Sequence, residues 1–248
     1  MRRRAILAAT GLAAGSAGCV VGYGRRESPA DDQASEIDAP TLAEQGMPST
    51  ICAEDIKPGG IRAIDDPSFG APGEWPDDPD GYRRLDDEAT VIGIENDVVA
   101  RAYPLTVLNV HEIINDTLDG PVLVTYCPLC RSGMVADRRV DGDPARFDVS
   151  GLLWVPPGIY TAAAEADGRV FSDREAGVSN NGNLVMYDET TGSYWSQMLA
   201  QAICGPEAER RLEIRSSTIS TWREWRTDHP DGEVLLPPPA SGVVDPPI

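Results

Sequence analysis

Lysine is almost missing from this chain. Of 21 basic residues, only Lys57 is lysine, and the rest are arginine. The 40 acids outweigh them, for a formal net charge of −19. Nucleic acid needs clustered basic side chains, so this balance argues against such a partner. Histidine is also scarce, with only His111 and His229 present. No third imidazole is available to build a Ser-His-Asp triad around, and no nucleophile elbow surrounds Ser150 or Ser196. Phosphate-loop and dinucleotide fingerprints do not occur, and the scattered acids never take calcium-loop spacing. After the first twenty residues there is no apolar run long enough to span a bilayer.

What is present begins with an address. Arg2, Arg3 and Arg4 precede a weakly apolar, Ala/Gly-rich stretch from 5 to 17. It is too short for a membrane span and fits a twin-arginine export signal over residues 1–18. The stretch Ser16-Ala17-Gly18-Cys19 resembles the lipobox of exported lipoproteins, which implies lipid on Cys19. The expected location is the extracytoplasmic face of the cell membrane, with the lipid as membrane partner. The acidic, lysine-poor composition resembles haloarchaeal proteins, whose carboxylates hold water and cations in strong salt.

Residues 19–50 read as an acidic linker, unable to bury enough apolar area to order itself. Pro237, Pro238, Pro239, Pro246 and Pro247 mark a Pro-rich tail over 237–248. Between them, residues 51–236 are long enough for one domain with a real core. The expected class is α+β, with an antiparallel-rich mixed sheet and two main helices. Runs at 90–95 and 98–103 flank Asn96-Asp97 and predict a hairpin. Pro104 predicts a helix from 105 to about 117, and 121–126 predicts a buried strand. Two further hairpins are expected, 133–140 with 145–153 around Asp141-Gly142, and 183–187 with 193–197 around Thr191-Gly192. A short strand at 211–215, a Trp-bearing helix at 219–228 and a closing strand at 233–236 complete the reading.

The chemistry concentrates at Tyr126-Cys127-Pro128-Leu129-Cys130, where a strand ends in two thiols held by a stiff turn. Three readings stand. The thiolates bind a metal with an imidazole, which suits zinc or copper; added thioethers favour Cu(I). The thiols cycle between dithiol and disulfide, with Cys127 as the reactive sulfur trapped by Cys130→Ser. Or they form a static disulfide, at home in an oxidising exterior. The strand-like run after Cys130 differs from the helix that activates a thioredoxin-type thiol, although Arg131 is placed to stabilise a thiolate.

His111 is the expected third ligand. On a helix, Val107, His111, Ile114 and Leu118 share one face, which points the imidazole inward. Glu112, Asn115 and Asp116 are close enough in sequence to orient it. Met186 and Met134 are candidate soft ligands, and Cys204 a fourth for zinc or a disulfide partner for Cys52. Glu112 with Asp188 is a weaker acid–base candidate, and Trp195, Trp222 and Trp225 read as core aromatics.

Several strings together resemble one family, the domain of unknown function DUF3179. They are Gly60-Ile61-Arg62-Ala63-Ile64-Asp65-Asp66-Pro67-Ser68-Phe69, Leu108-Asn109-Val110-His111-Glu112-Ile113-Ile114-Asn115-Asp116 and Val124-Thr125-Tyr126-Cys127-Pro128-Leu129-Cys130. Ala100-Arg101-Ala102-Tyr103-Pro104, Val149-Ser150-Gly151-Leu152-Leu153, Asn183-Leu184-Val185-Met186-Tyr187-Asp188, Tyr194-Trp195-Ser196-Gln197 and Thr221-Trp222-Arg223-Glu224-Trp225 complete the set. The resemblance implies an exported or anchored protein and carries no settled activity. The chain departs from the pattern at Val110 (usually Trp) and Arg131 (usually Gly or Asn). Residues 154–182 stand where a very short link is expected and read as an inserted surface loop.

The leading expectation is a lipid-anchored domain that holds or delivers copper or zinc through Cys127, Cys130 and His111, with Met186, to an unknown donor or acceptor protein. It has no catalytic residues. The alternatives are a thiol–disulfide oxidoreductase on the same two cysteines and a scaffold with a structural disulfide.

Overall fold

Strand-forming residues dominate, and the chain pairs them into three principal sheets. The computed structural model describes residues 41–42, 53–154 and 183–243. The signal segment, Cys19, Cys52 and residues 155–182 of the expected insertion lie outside the described residues, as does nearly all of the expected linker.

In chain order the strands begin with β1 (Ile64–Asp66), β2 (Phe69–Gly70), β3 (Thr90–Glu95) and β4 (Ala100–Pro104). Helix α1 (Leu105–His111) leads into β5 (Ile113–Thr117), β6 (Pro121–Cys127) and β7 (Ser132–Asp137). The short β8 (Arg139–Val140) and β9 (Asp143–Pro144) pair only with each other. Then come β10 (Phe147–Trp154), β11 (Asn183–Asp188), β12 (Tyr194–Ser196) and β13 (Gln201–Cys204). β14 (Thr218–Thr221), helix α2 (Trp222–Asp228), β15 (Glu233–Leu235) and β16 (Gly242–Val243) end the described chain. The fold is therefore sheet-rich and mostly β, with two α-helices among the described residues.

The central sheet runs β16-β1-β5-β6-β7. Its residues alternate between two cores, as the pleat requires. Ile113, Leu123, Cys127 and Ala136 face one side, against Phe147, Val149, Met186 and Trp195 of the sheet β10-β11-β12-β13. Ile64, Ile114, Val122, Val124 and Val135 face the other, against Ile92, Ile94 and Tyr103 of the sheet β14-β3-β4-β15-β2. A strand buried on both faces needs apolar residues on both, which is why β6 reads as a continuous run. Each fully buried Leu or Ile contributes roughly 1.5–3 kcal/mol.

Several expected elements are found. The β3–β4 hairpin forms with Asn96 at its turn, the side-chain oxygen accepting the Val98 and Val99 N–H groups. β11 and β12 pair across the Thr191-Gly192 turn. Among the described residues all but two of the strand pairings are antiparallel, β1 with β5 and β15 with β4 being parallel.

Other elements differ. The expected helix at 105–117 stops at His111, where Glu112 turns left-handed at φ 59°. Ile113-Ile114-Asn115-Asp116-Thr117 instead pairs with β6 along its whole length. Two β-branched isoleucines beside a ready partner strand outweigh continuation of the helix. The hairpin around Asp141-Gly142 is confined to β8 with β9 and the Ala145 N–H on the Arg138 carbonyl; beyond it, β7 folds back on β6, and β10 pairs with β11. At the second helix, Thr218–Thr221 is strand, and Thr221 is the cap. The expected 237–248 tail is folded at least to Val243. There β16 pairs with β1, and buried Ser241 bonds Ser68 and Leu236.

Candidate functional site

The Cys-Pro-Leu-Cys segment is the turn of the β6–β7 hairpin, with Cys127 opposite Ser132 at the last rung. The two sulfurs are bonded, with Cα atoms 5.1 Å apart. Their surroundings are unequal. Cys127 points to the Leu123 side of the central sheet and is fully buried. Cys130 is half-buried, beside exposed Leu129 and exposed Arg131, and Arg131 adopts φ 52°. The Cys130 backbone N–H donates to Cys127 Sγ at 3.1 Å. That bond is aimed at the sulfur that burial would otherwise leave poorly solvated as a thiolate.

Gln197, buried just after β12, clamps this hairpin to the neighbouring sheet. Its amide nitrogen donates to the Ser132 carbonyl at 3.0 Å and to Thr125 Oγ1 at 3.4 Å, while its oxygen accepts from Ser132 Oγ at 2.9 Å. Sequence reasoning did not assign Gln197 a role. The available signal was its place in the Tyr-Trp-Ser-Gln string.

Met186 is fully buried in the same core as Cys127, and Met134 and Cys130 pack against that core. His111 goes elsewhere. Its Nδ1 lies 2.8 Å from the Arg62 carbonyl oxygen, which accepts only, so Nδ1 carries the proton. Nε2 then accepts from the Tyr82 hydroxyl at 2.7 Å. Tyr82 packs with the core on the opposite face from Cys127. Burial lowers the His111 pKa, with the Arg62 carbonyl opposing, which favours the neutral ring. Both ring nitrogens are thus engaged away from the sulfurs. Among the described residues no group of three or more His, Cys, Asp or Glu is placed to hold a metal ion. Cys127 and Met186 share one core with Cys130 against it, whereas His111 is engaged on the other side of the sheet.

The expected orienters of His111 serve other contacts. Asn115 bonds Asp65 and both backbone groups of Phe147, joining β5 to β10. Asp116 accepts from Arg101 at 2.9 Å and from Tyr103. Glu112 is buried at the C-terminus of α1, and its carbonyl accepts the Tyr126 N–H at 2.8 Å, one residue before Cys127. Burial raises its carboxyl to about 7. Asp188 is occupied by Thr191 and by the indole N–H of Trp195, a structural role. Trp222 and Trp225 are core residues, as expected. His229 stacks on Trp225 and bonds Glu95 at 2.7 Å. Cys204 sits half-buried in β13.

The profile of one family, described as Protein of unknown function (DUF3179), matches residues 58–156 and 164–242. The chain belongs to this family. Only 157–163 are left unmatched between the two segments, so most of the 154–182 stretch read as an insertion is covered by the family pattern. The match also reaches past the expected domain end at 236, in keeping with the folded β16. No curated protein and no solved structure matches the chain.

Proposed function

We propose that this DUF3179 domain is a thiol–disulfide exchange protein acting through Cys130 and Cys127. In the same reading it is exported by its arginine signal and anchored to the outer face of the membrane by lipid on Cys19. One observation carries the exchange reading: the bonded pair has one reachable sulfur, Cys130, and one buried sulfur, Cys127, that receives the Cys130 N–H. A partner thiolate attacks Cys130 Sγ, and the Cys127–Cys130 bond breaks. Cys127 leaves as a thiolate held by that N–H, and a mixed disulfide remains on Cys130. A second partner thiolate attacks the partner's sulfur and releases Cys130 as a thiolate. Two electrons pass to the protein, and the partner leaves oxidised. A low-molecular-weight disulfide regenerates the starting bond.

Burial reverses the roles expected from sequence order, in which Cys127 attacked. The trapping variant is therefore Cys127→Ser, which should hold a mixed disulfide on Cys130. Mass spectrometry after mixing with a small disulfide reads this directly. In reduced wild-type protein Cys130 should alkylate well ahead of Cys127. A reduction potential below about −300 mV would class the bond as an inert structural clip and end the proposal.

A second reading is favoured by a separate observation: Met186 lies in the same buried core as Cys127, and Met134 and Cys130 pack against that core. Sulfur ligands drawn from these residues, once the disulfide is reduced, would suit Cu(I) rather than zinc, which seeks a closed set of four N or S ligands. Copper carriage then proceeds without His111. Metal analysis of reduced protein purified without chelator tests it, and clearly substoichiometric copper and zinc would remove it.

A further inference from the structure

β7 is an edge strand of the central sheet, and only half of that edge is covered. The Val135 carbonyl accepts from Arg215 N–H, and the Asp137 N–H donates to Glu213, with Ile214 opposite Ala136. This antiparallel segment then peels away toward β14. In a ladder of this type both backbone groups of one residue point the same way, so Gly133, Val135 and Asp137 all face the edge. No described group pairs with the Gly133 N–H, the Gly133 carbonyl or the Val135 N–H. Residues 132–135 instead line a groove of about 390 Å³ together with Gln197, Met198 and the Ile214, Arg215 and Ser217 side of the chain leading to β14. Met198 and Ile214, both in its lining, leave 66% and 57% of their surface exposed. Exposed Arg131 stands beside Cys130, with no carboxylate partner among the described residues.

We infer that this slot takes an extended polypeptide segment that carries the substrate cysteine, with an acidic residue beside it, as an added strand on β7. The inference rests on the exchange reading and specifies its substrate class. Residues 213–215 show that this edge accepts an antiparallel strand. The slot is its direct continuation, and it runs out two residues from Cys130. An occupant bonded to Gly133 and Val135 carries its own sulfur to the reachable one. Arg131 supplies the charge that an aspartate next to that sulfur would meet, on a chain whose net charge is otherwise −19. Main-chain bonds would give affinity without demanding one sequence.

The test uses the full chain, oxidised, with a short unstructured peptide bearing one cysteine between aspartates. Two further peptides carry N-methyl groups on alternate amides, in the two possible frames. A small thiol such as 2-mercaptoethanol serves as reference. The parent peptide should form the mixed disulfide faster than the small thiol, and one methylated frame should lose about tenfold or more while the other keeps the parent rate. Equal rates for both frames and the parent would overturn the strand-addition inference, as would a peptide no faster than 2-mercaptoethanol. A dimer by sedimentation with no peptide acceleration would also overturn it, by giving the edge to a second copy. If the small thiol itself fails to open Cys127–Cys130, the exchange reading falls instead, so the two failures are distinguishable.

Discussion

Glu112 illustrates how one residue answers to its surroundings. It ends α1 in a left-handed conformation, hands its carbonyl to Tyr126 and buries its carboxyl. Burial moves that carboxyl from an ordinary 4.5 to about 7. Between those values the folded chain holds the proton and the unfolded chain has lost it, so stability falls as pH rises through the window. The effect is up to about 3 kcal/mol. Burial also raises Asp148 and Glu189, which act with the same sign, so the comparison must be with a variant. Glu112→Gln should flatten the decline between pH 5 and 7 and melt higher than wild type at pH 8. Parallel melting curves for the two proteins across that range would show that the carboxyl ionises freely. At this scale Cys127 and Met186, picked out by their motif strings, fall in one buried core, and Cys130 packs against it. The sequence misdirected His111, because the helical face used to aim it runs about three turns, from Val107 to Leu118, and the helix ends at His111.

At the scale of elements, pairing partners decided what propensity left open. The β3–β4 and β11–β12 hairpins were legible because Asn96-Asp97 and Thr191-Gly192 are local turn signals. The β6–β7 hairpin was hidden because its turn is the Cys-Pro-Leu-Cys segment, which reads as chemistry before it reads as a turn. The α2 boundary moved to Thr221, whose hydroxyl accepts the Glu224 N–H while Glu224 returns a bond to the Thr221 N–H, a capping box inside the Thr-Trp-Arg-Glu string. Helix α2 lies close on β3. A Cβ at Gly93 would come within 2.0 Å of the Trp225 ring, a rigid neighbour buried in that core. Gly93→Ala should therefore cost about 2 kcal/mol or more through overpacking, read as a lower denaturation midpoint with an unchanged slope. An unshifted midpoint would mean that α2 slides without cost.

Across the whole molecule, the three sheets stack so that the central one is covered on both faces, and the C-terminal end of the described chain closes one of its edges. β16 completes one edge of that sheet, and Ser241 ties the C-terminal segment to Ser68. Truncation after Leu236 should thus expose β1 and lower the melting temperature by several degrees, roughly as expected for a loss of 1–2 kcal/mol in a domain of this size. A dispensable tail would leave it unchanged. At the opposite edge, β7 is paired among the described residues only by 213–215, which leaves its Gly133 end, near Cys130, uncovered by any described group.

The sequence by itself determined the acidic, lysine-poor surface, the family, the strand-rich character and the position of the two thiols. These are written in composition and in short local strings, which need no distant partner to be read. Only the tertiary structure decided that Cys127 is buried while Cys130 is reachable, that His111 belongs to Tyr82 and Arg62, and that Gln197 holds the hairpin. Burial and hydrogen-bond partners come from residues far apart in the chain, and no local pattern encodes which of two cysteines three positions apart will face the core.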